Sequence, residues 1–527
     1  MKLGSEFMPP LYEGSLFYMP VTMPGASISE VSRLLQMQDK ILMNIPEVAQ
    51  VFGKAGRAET ATDPAPLEMF ETVINLKPDD KPTNLDRLLH LVGLKKELPK
   101  SYWRKGMTVE QLKNEMNDAL SIPGVSNSFT MPIKARIDML ATGIRTPVGI
   151  KILGPNLEEI EKIGLAIEHH MKDVPGTRSV YAERVTTGYF LDISVRKDDA
   201  ARLGLTVDDV EDVIQSAIGG VNLTTTIEGR ARYPVNVRYA RELRNDVEKM
   251  KRVLVPVMMP GRAAATASGM PPSVPASVQI PLGELADIKI IKGPTAIKSE
   301  EGLLTAYVYI DYSGSDIGGY VEQARKKIAS LKIPEGYRLS WSGEYEYLIK
   351  THERLKLVIP LTLFIIFILI YFNTKSITKT AIVLLAVPFS LVGSFWLLYI
   401  LNYNMSIAVW VGIIALAGLD AETGVVMLLY LDLAHEKWQK EGRLKNAVDL
   451  RDSVMYGAVK RIRPKIMTVS VILAGLVPIM FSHGTGADVM KRIAAPMVGG
   501  VITSTILELI IYPAIYMIWR GRGLAKD

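Results

Sequence analysis

The chain has 527 residues, of which 48% are hydrophobic and 22% charged, with a formal net charge of +6. This mixture fits neither a wholly soluble protein nor one confined to a bilayer; it suits a large polar region joined to several apolar spans. With no cysteine in the sequence, disulfides and every Cys-based metal or redox centre are excluded.

The first seven residues, Met1 to Phe7, hold no apolar run of signal-peptide type and read like a cloning remnant. The next 340 or so residues repeat one theme of strand, amphipathic helix, proline stop and strand. The stops are Ile45-Pro46-Glu47, Ile122-Pro123-Gly124, Val174-Pro175-Gly176 and Ile333-Pro334-Glu335, each placing a helix-breaking proline where a helical pattern ends. Helical periodicity from about Ser27 to Met43 puts Ile28, Val31, Leu34, Leu35, Ile41 and Leu42 on one face, with Ser27 and Glu30 in capping-box spacing. A second amphipathic helix follows Asn156. Alternating or β-branched runs at Ser15 to Val21, Val148 to Leu153, Phe190 to Val195 and Leu304 to Tyr312 predict strands. Split βαβ units of this kind predict α+β subdomains with ferredoxin-like repeats. A Pro/Ala/Met/Ser-rich stretch at 258–277 predicts a loop.

An all-α bundle of five membrane helices is predicted next, at about 355–373, 381–401, 405–431, 465–482 and 493–519. The apolar cores of the first and fourth are short for a hydrocarbon layer of about 30 Å and must recruit flanking residues. Basic residues crowd the connection from Lys437 to Lys465 and the tail at Arg520, Arg522 and Lys526, which places both in the cytoplasm and the large polar region outside. The positive charge thus has a topological explanation, and nucleic acid is not an expected partner. Nothing at the start of the chain would export 350 residues, so an upstream spanning helix is expected in the natural context.

Within the third span stands Gly418-Leu419-Asp420-Ala421-Glu422-Thr423-Gly424. An ionisable group at that depth is costly and marks proton or ion movement. Asp420 and Glu422 are two residues apart and point to nearly opposite sides of a helix. A hydrolytic enzyme is the least expected class, since the sequence shows no nucleophile elbow, P-loop or zinc motif, and the six histidines have no metal-ligand spacing.

Tyr18-Met19-Pro20, Val51 to Lys54, Ala58 to Met69, Arg136 to Leu140, Thr142 to Lys151, Ala417 to Met427 and Arg463-Pro464-Lys465 together resemble the C-terminal half of a resistance-nodulation-division (RND) heavy-metal efflux pump. The resemblance is to the CusA-type copper/silver branch. It implies a proton-antiporting secondary transporter of the bacterial inner membrane, with no permanently bound cofactor and Cu(I)/Ag(I) as the transported ion. It also implies a homotrimer, a periplasmic adaptor protein, an outer-membrane channel and a missing N-terminal half as partners. The implied division is a first porter subdomain at 8–147, a second at 148–185 with 293–345, a docking-type subdomain at 186–292, and a membrane domain at 346–527.

Matched motif by motif, the family's metal site falls on Met19, Met69 and Met139, with Asp63, Glu71, Arg136 and Arg145 around it. Soft monovalent Cu(I) and Ag(I) prefer thioether sulfur, which suits this set; the competing expectation is core packing. The resemblance likewise implies a proton relay in which Glu422 carries the proton and Lys465 stabilises its anion. Asp420 and Glu508 depart from the expected pattern and are secondary candidates. Two alternatives are a divalent zinc/cobalt/cadmium pump of the same superfamily and a membrane-tethered metal-binding module that does not transport.

Overall fold

A computed structural model describes residues 3–9, 11–22, 24–56, 67–79, 101–258, 277–314, 316–482, 484 and 486–521. Asp63 and nearly all of the expected 258–277 loop lie outside the described residues. The chain divides into one unit at 1–184 with 297–527 and a second at 185–296.

The first unit contains two sheets of the same connectivity. In the first, Ser15–Tyr18 leads through helix Ile28–Met43 to Val48–Ala55, a hairpin to Phe70–Leu76, helix Val109–Ala119 and Phe129–Thr130. The spatial order is second, third, first, fourth, with every neighbour antiparallel. The second sheet repeats this with Val148–Gly154, helix Leu157–Lys172, Thr177–Ala182, Leu303–Tyr312, helix Ile317–Ile328 and Arg338–Gly343, and Lys298–Glu300 adds an edge strand. Its second and third strands are neighbours in space although the unit 185–296 intervenes between them in sequence.

Local chemistry explains these elements. Ser27 caps the first helix by accepting from the Glu30 amide, and Val31, Leu34 and Leu42 fill its buried face. Ile28, expected on that face, is 71% exposed, because it sits at the first helical position, while Gln38 occupies the buried stripe. Asn156 accepts from the amides of Glu158 and Glu159 to start the next amphipathic helix, whose Ile160, Ile163, Ile167 and Met171 are buried. The segment 4–7, which reads as a remnant, is packed: the Glu6 amide donates to the Met405 carbonyl at 3.0 Å, and the Glu6 carboxylate pairs with Arg492 at 3.0 Å.

The second unit pairs Gly188–Val195 with Ala286–Gly293 and Leu254–Met258 with Ser277–Pro281 over a core that includes Val210, Val253, Val255, Leu282 and Leu285. The helix expected from Val207 to Ile218 is α-helical to Val213 and π-helical from Ile214 to Gly219.

Five helices among the described residues are long and apolar enough to cross a membrane: Glu344–Thr374, Ile377–Ile400, Ile407–Lys440, Ala447–Met480 and Ala487–Arg520. The first and fourth are lengthened at their N-terminal ends by polar turns that continue the helix, so both exceed the short apolar cores read from sequence. The second span is broken at Leu385, just ahead of Pro388, which cannot donate to the Leu384 carbonyl. The fifth carries a π-helical turn, Leu507–Ile511, before Pro513. Glycines let these helices approach backbone to backbone: a Cβ at Gly393 or Gly499 would collide with the other residue's carbonyl, and one at Gly412 with that of Ile493. The second, third and fifth spans therefore form the centre of the bundle, over a core that includes Val383, Met427, Leu428, Leu431, Tyr512 and Tyr516.

Candidate metal cleft and membrane acid cluster

Met19 directly follows the strand Ser15–Tyr18 and is held in line by its amide, which donates to the Ser128 carbonyl at 2.9 Å. Met69 directly precedes the neighbouring strand and bridges to Val21. Met139 belongs to the short helix Pro132–Thr142, which begins with proline at its first position and ends at Gly143 in the left-handed conformation. The three side chains meet in one packed cluster with Phe17, Val73 and Ala135. Met19 is fully buried and Met69 nearly so, while Met139 is half-buried.

Beside this cluster opens a cavity of about 480 Å³, whose walls include Phe17, Val73, Lys54, Glu71, Arg136 and Ile137. Phe17 and Val73 belong both to the cavity wall and to the methionine cluster. Glu71 is 5% exposed and pairs with Lys54 at 3.0 Å. Arg136, on the same helix as Met139, lines the cavity together with Ile137. Arg145 is placed elsewhere: its guanidinium stacks 4.4 Å from the centre of the Tyr309 ring in the second sheet. Sequence reasoning missed Phe17 and Val73, and it missed Lys134, which lies on the Met139 helix and binds both Asp138 and Glu344.

Four of the five spans meet at a second site. Lys465 of the fourth span is 4% exposed and pairs with Glu508 of the fifth at 2.7 Å. Glu508 Oε1 also accepts from Thr423 Oγ1 of the third span at 2.5 Å and from Ser504 Oγ at 3.3 Å. Asp420 of the third span is 1% exposed and faces the hydroxyls of Ser390, from the second span, and Ser504. Its Oδ2 has no hydrogen-bond partner.

The lysine is therefore paired with Glu508, not with Glu422 as the sequence reading had it. The cause is helical phase: Glu422 is exposed, on the stripe of Val411, Ala415 and Gly418, whereas Asp420 and Thr423 turn toward the bundle. The opposite facing of Asp420 and Glu422 was legible in their spacing. The meeting of Lys465 with Glu508 was not, since it joins residues on different helices.

Comparisons with known proteins agree with this architecture. The AcrB/AcrD/AcrF family profile matches residues 1–520. The chain is 42% identical over 525 residues to the putative cation efflux system protein SilA of Salmonella typhimurium, covering 99% of this chain and 46% of that protein. It is 40% identical to the cation efflux system protein CusA of Escherichia coli K12, over 99% of this chain and 46% of the relative. A crystal structure of a heavy metal efflux pump superposes with a TM-score of 0.79 at 27% identity, covering 99% of this chain and 48% of that one. The chain thus spans about half the length of the curated relatives it matches. It is a multi-pass protein of the bacterial inner membrane with periplasmic sheet domains. The chain belongs to the AcrB/AcrD/AcrF family, among the heavy-metal RND efflux transporters of CusA type.

Proposed function

We propose that this chain is half of a subunit of a proton-driven pump that exports Cu(I) and Ag(I) through a methionine-lined periplasmic cleft. The observation that carries the reading is the convergence of Met19, Met69 and Met139 in one cluster, which shares Phe17 and Val73 with the wall of a cavity. Three neutral thioethers suit a soft monovalent cation, and because they do not titrate they bind and release it without proton competition. Among the described residues no group of three His, Asp or Glu gathers as an oxygen or nitrogen metal site.

In this reading each sheet is a ferredoxin-like porter subdomain, 185–296 is the docking-type subdomain, and the first half of the pump, two further subunits, a periplasmic adaptor and an outer-membrane channel are the partners. Glu71 and Arg136 tune the charge of the cleft, and Arg145 orders the second sheet. Glu422 carries the proton, and Lys465 governs the charge of the membrane site. The similarity to SilA and CusA, at 42% and 40% identity, favours copper and silver over the divalent ions of the cobalt-zinc-cadmium resistance protein CzcA of Cupriavidus metallidurans, at 31%.

The test is a calorimetric titration of the detergent-purified chain with Ag(I) and with Zn(II), beside the Met19/Met69/Met139→Leu variant. Tight Ag(I) binding lost in the variant, with weak Zn(II) binding, supports the copper/silver reading. Equal Ag(I) binding by both proteins reduces the methionines to core packing, and preferential Zn(II) binding moves the substrate to the divalent class.

A further inference from the structure

The geometry points to a second proton-carrying row, Asp420–Ser504–Glu508, lying within this half of the pump and ending on Lys465. The inference rests on the proton-driven reading above and adds to it a site separate from Glu422.

Four observations carry it. Asp420 and Glu508 are respectively 1% and 0% exposed, and both lie inside helices long enough to cross the membrane, where a carboxyl group persists only with a partner or a task. Glu508 has its partners: Lys465 on Oε2, and the hydroxyls of Thr423 and Ser504 on Oε1. Asp420 is only half satisfied: its carboxyl group faces the Ser390 and Ser504 hydroxyls, while its Oδ2 is buried without a hydrogen-bond partner. Finally, Glu508 sits in the π-helical turn Leu507–Ile511, a local widening of the helix that recurs at functional sites.

Ser504 is the link. Its hydroxyl donates to Glu508 Oε1 at 3.3 Å and lies beside Asp420. When Asp420 is protonated, its proton passes to Ser504 Oγ as the serine's own proton passes to Glu508 Oε1. The serine is regenerated, Asp420 becomes the anion and Glu508 becomes neutral. One proton has moved from the third span to the fifth, and the Lys465 ammonium has lost its counter-ion. The lysine then has reason to move, which is how a proton step can bias helix packing.

Among the described residues Tyr512 also packs against the row, and its hydroxyl donates to the Val383 carbonyl at 2.8 Å and is thereby occupied. Glu422 lies on the exposed face of the third span, away from the row.

The test uses the complete pump, this chain together with its first half, reconstituted in vesicles with Ag(I) on one side and a pH-sensitive dye inside. Asp420→Asn and Ser504→Ala are each expected to lower metal-dependent proton flux at least tenfold and to change its pH profile. Asp420→Glu is expected to restore the flux to within about threefold of the wild type. Thermal unfolding of each variant in detergent separates this from misfolding, and Ser504→Ala, which removes only a hydroxyl, is the variant expected to keep the wild-type midpoint. Wild-type flux and pH profile in both Asp420→Asn and Ser504→Ala would overturn the row while leaving the proton-driven reading intact. Silver export without proton flux in the wild type would overturn that reading and the row with it.

Discussion

Lys134, one turn before Asp138 on the helix that carries Met139, forms an ion pair with Glu344, the first residue of the first membrane span. Both side chains are largely buried, at 15% and 6% exposure. Lys134 also lies 3.5 Å from Asp138, so two carboxylates share one ammonium. The helix that carries Met139 and the start of the membrane bundle are thereby joined by charge. Removing the ammonium strands Glu344 and Asp138 in a low-dielectric setting, a loss that typically costs about 3–5 kcal/mol. Lys134→Met is expected to lower the thermal midpoint of the chain markedly, and adding Glu344→Gln to the same chain to recover most of it. A double variant no more stable than the single would show that the pair is not the source.

Asp138 gives a pH signature. Burial, opposed by the Lys134 ammonium and reinforced by the Glu344 carboxylate, pushes its carboxyl group up from 3.8 to about 6. The folded protein therefore holds this proton at pH values where the unfolded chain has released it. Its contribution to stability is present in full below the unfolded value, declines through the window between, and is lost as pH rises past about 6. Asp138→Asn should remove that slope, so the variant gains on the wild type as pH is raised from about 4 to about 7. Unfolding midpoints of both proteins across that range are the measurement; parallel curves would place the titration elsewhere.

Five spans and the helix after Asn156 were legible because apolar residues recur at helical spacing or in long runs. The beginnings of the first and fourth spans, at Glu344 and Ala447, were not, because polar turns of good helix formers continue a helix without any apolar signal. The methionines could be picked from their motifs, but their meeting depends on pairing Ser15–Tyr18 with Phe70–Leu76, a long-range register that periodicity does not specify. Lys465 illustrates the same limit: the family resemblance implied Glu422 as its acid, and the packing of the fifth span supplied Glu508.

Gly143 ties the position of Met139 to backbone conformation. It ends the cleft helix at φ +75°, with its amide donating to the Met139 carbonyl at 3.0 Å, and an added Cβ would stand 3.2 Å from the Tyr307 hydroxyl. Gly143→Ala is expected to cost about 1–2 kcal/mol, from the left-handed conformation alone, and more if Tyr307 cannot yield. Because the last helical turn carries Met139, Ag(I) affinity should fall severalfold as well. Gly143→Asn, which tolerates the left-handed region better, should lose less of both. Chemical unfolding and Ag(I) titration of the same preparations test the link; stability loss with unchanged affinity would separate the cap from the metal site.

Glu422 and Glu508 should answer to opposite measurements. Glu422 is exposed, on a stripe at spacings of four and three residues with Val411, Ala415 and Gly418, so neutralising it leaves no buried charge behind. Glu422→Gln is expected to change stability by less than about 0.5 kcal/mol. If it carries the coupled proton, the same variant in the complete pump abolishes metal-dependent proton flux. Glu508→Gln instead leaves Lys465, 4% exposed, without its counter-ion, so a stability loss of about 3–5 kcal/mol is expected, largely recovered by adding Lys465→Met. Flux in vesicles and thermal unfolding in detergent, measured on both single variants, therefore separate coupling from packing. Full flux in Glu422→Gln would transfer the coupling role to the buried acids, because a side chain with neither a buried partner nor an effect on transport has no remaining claim to it.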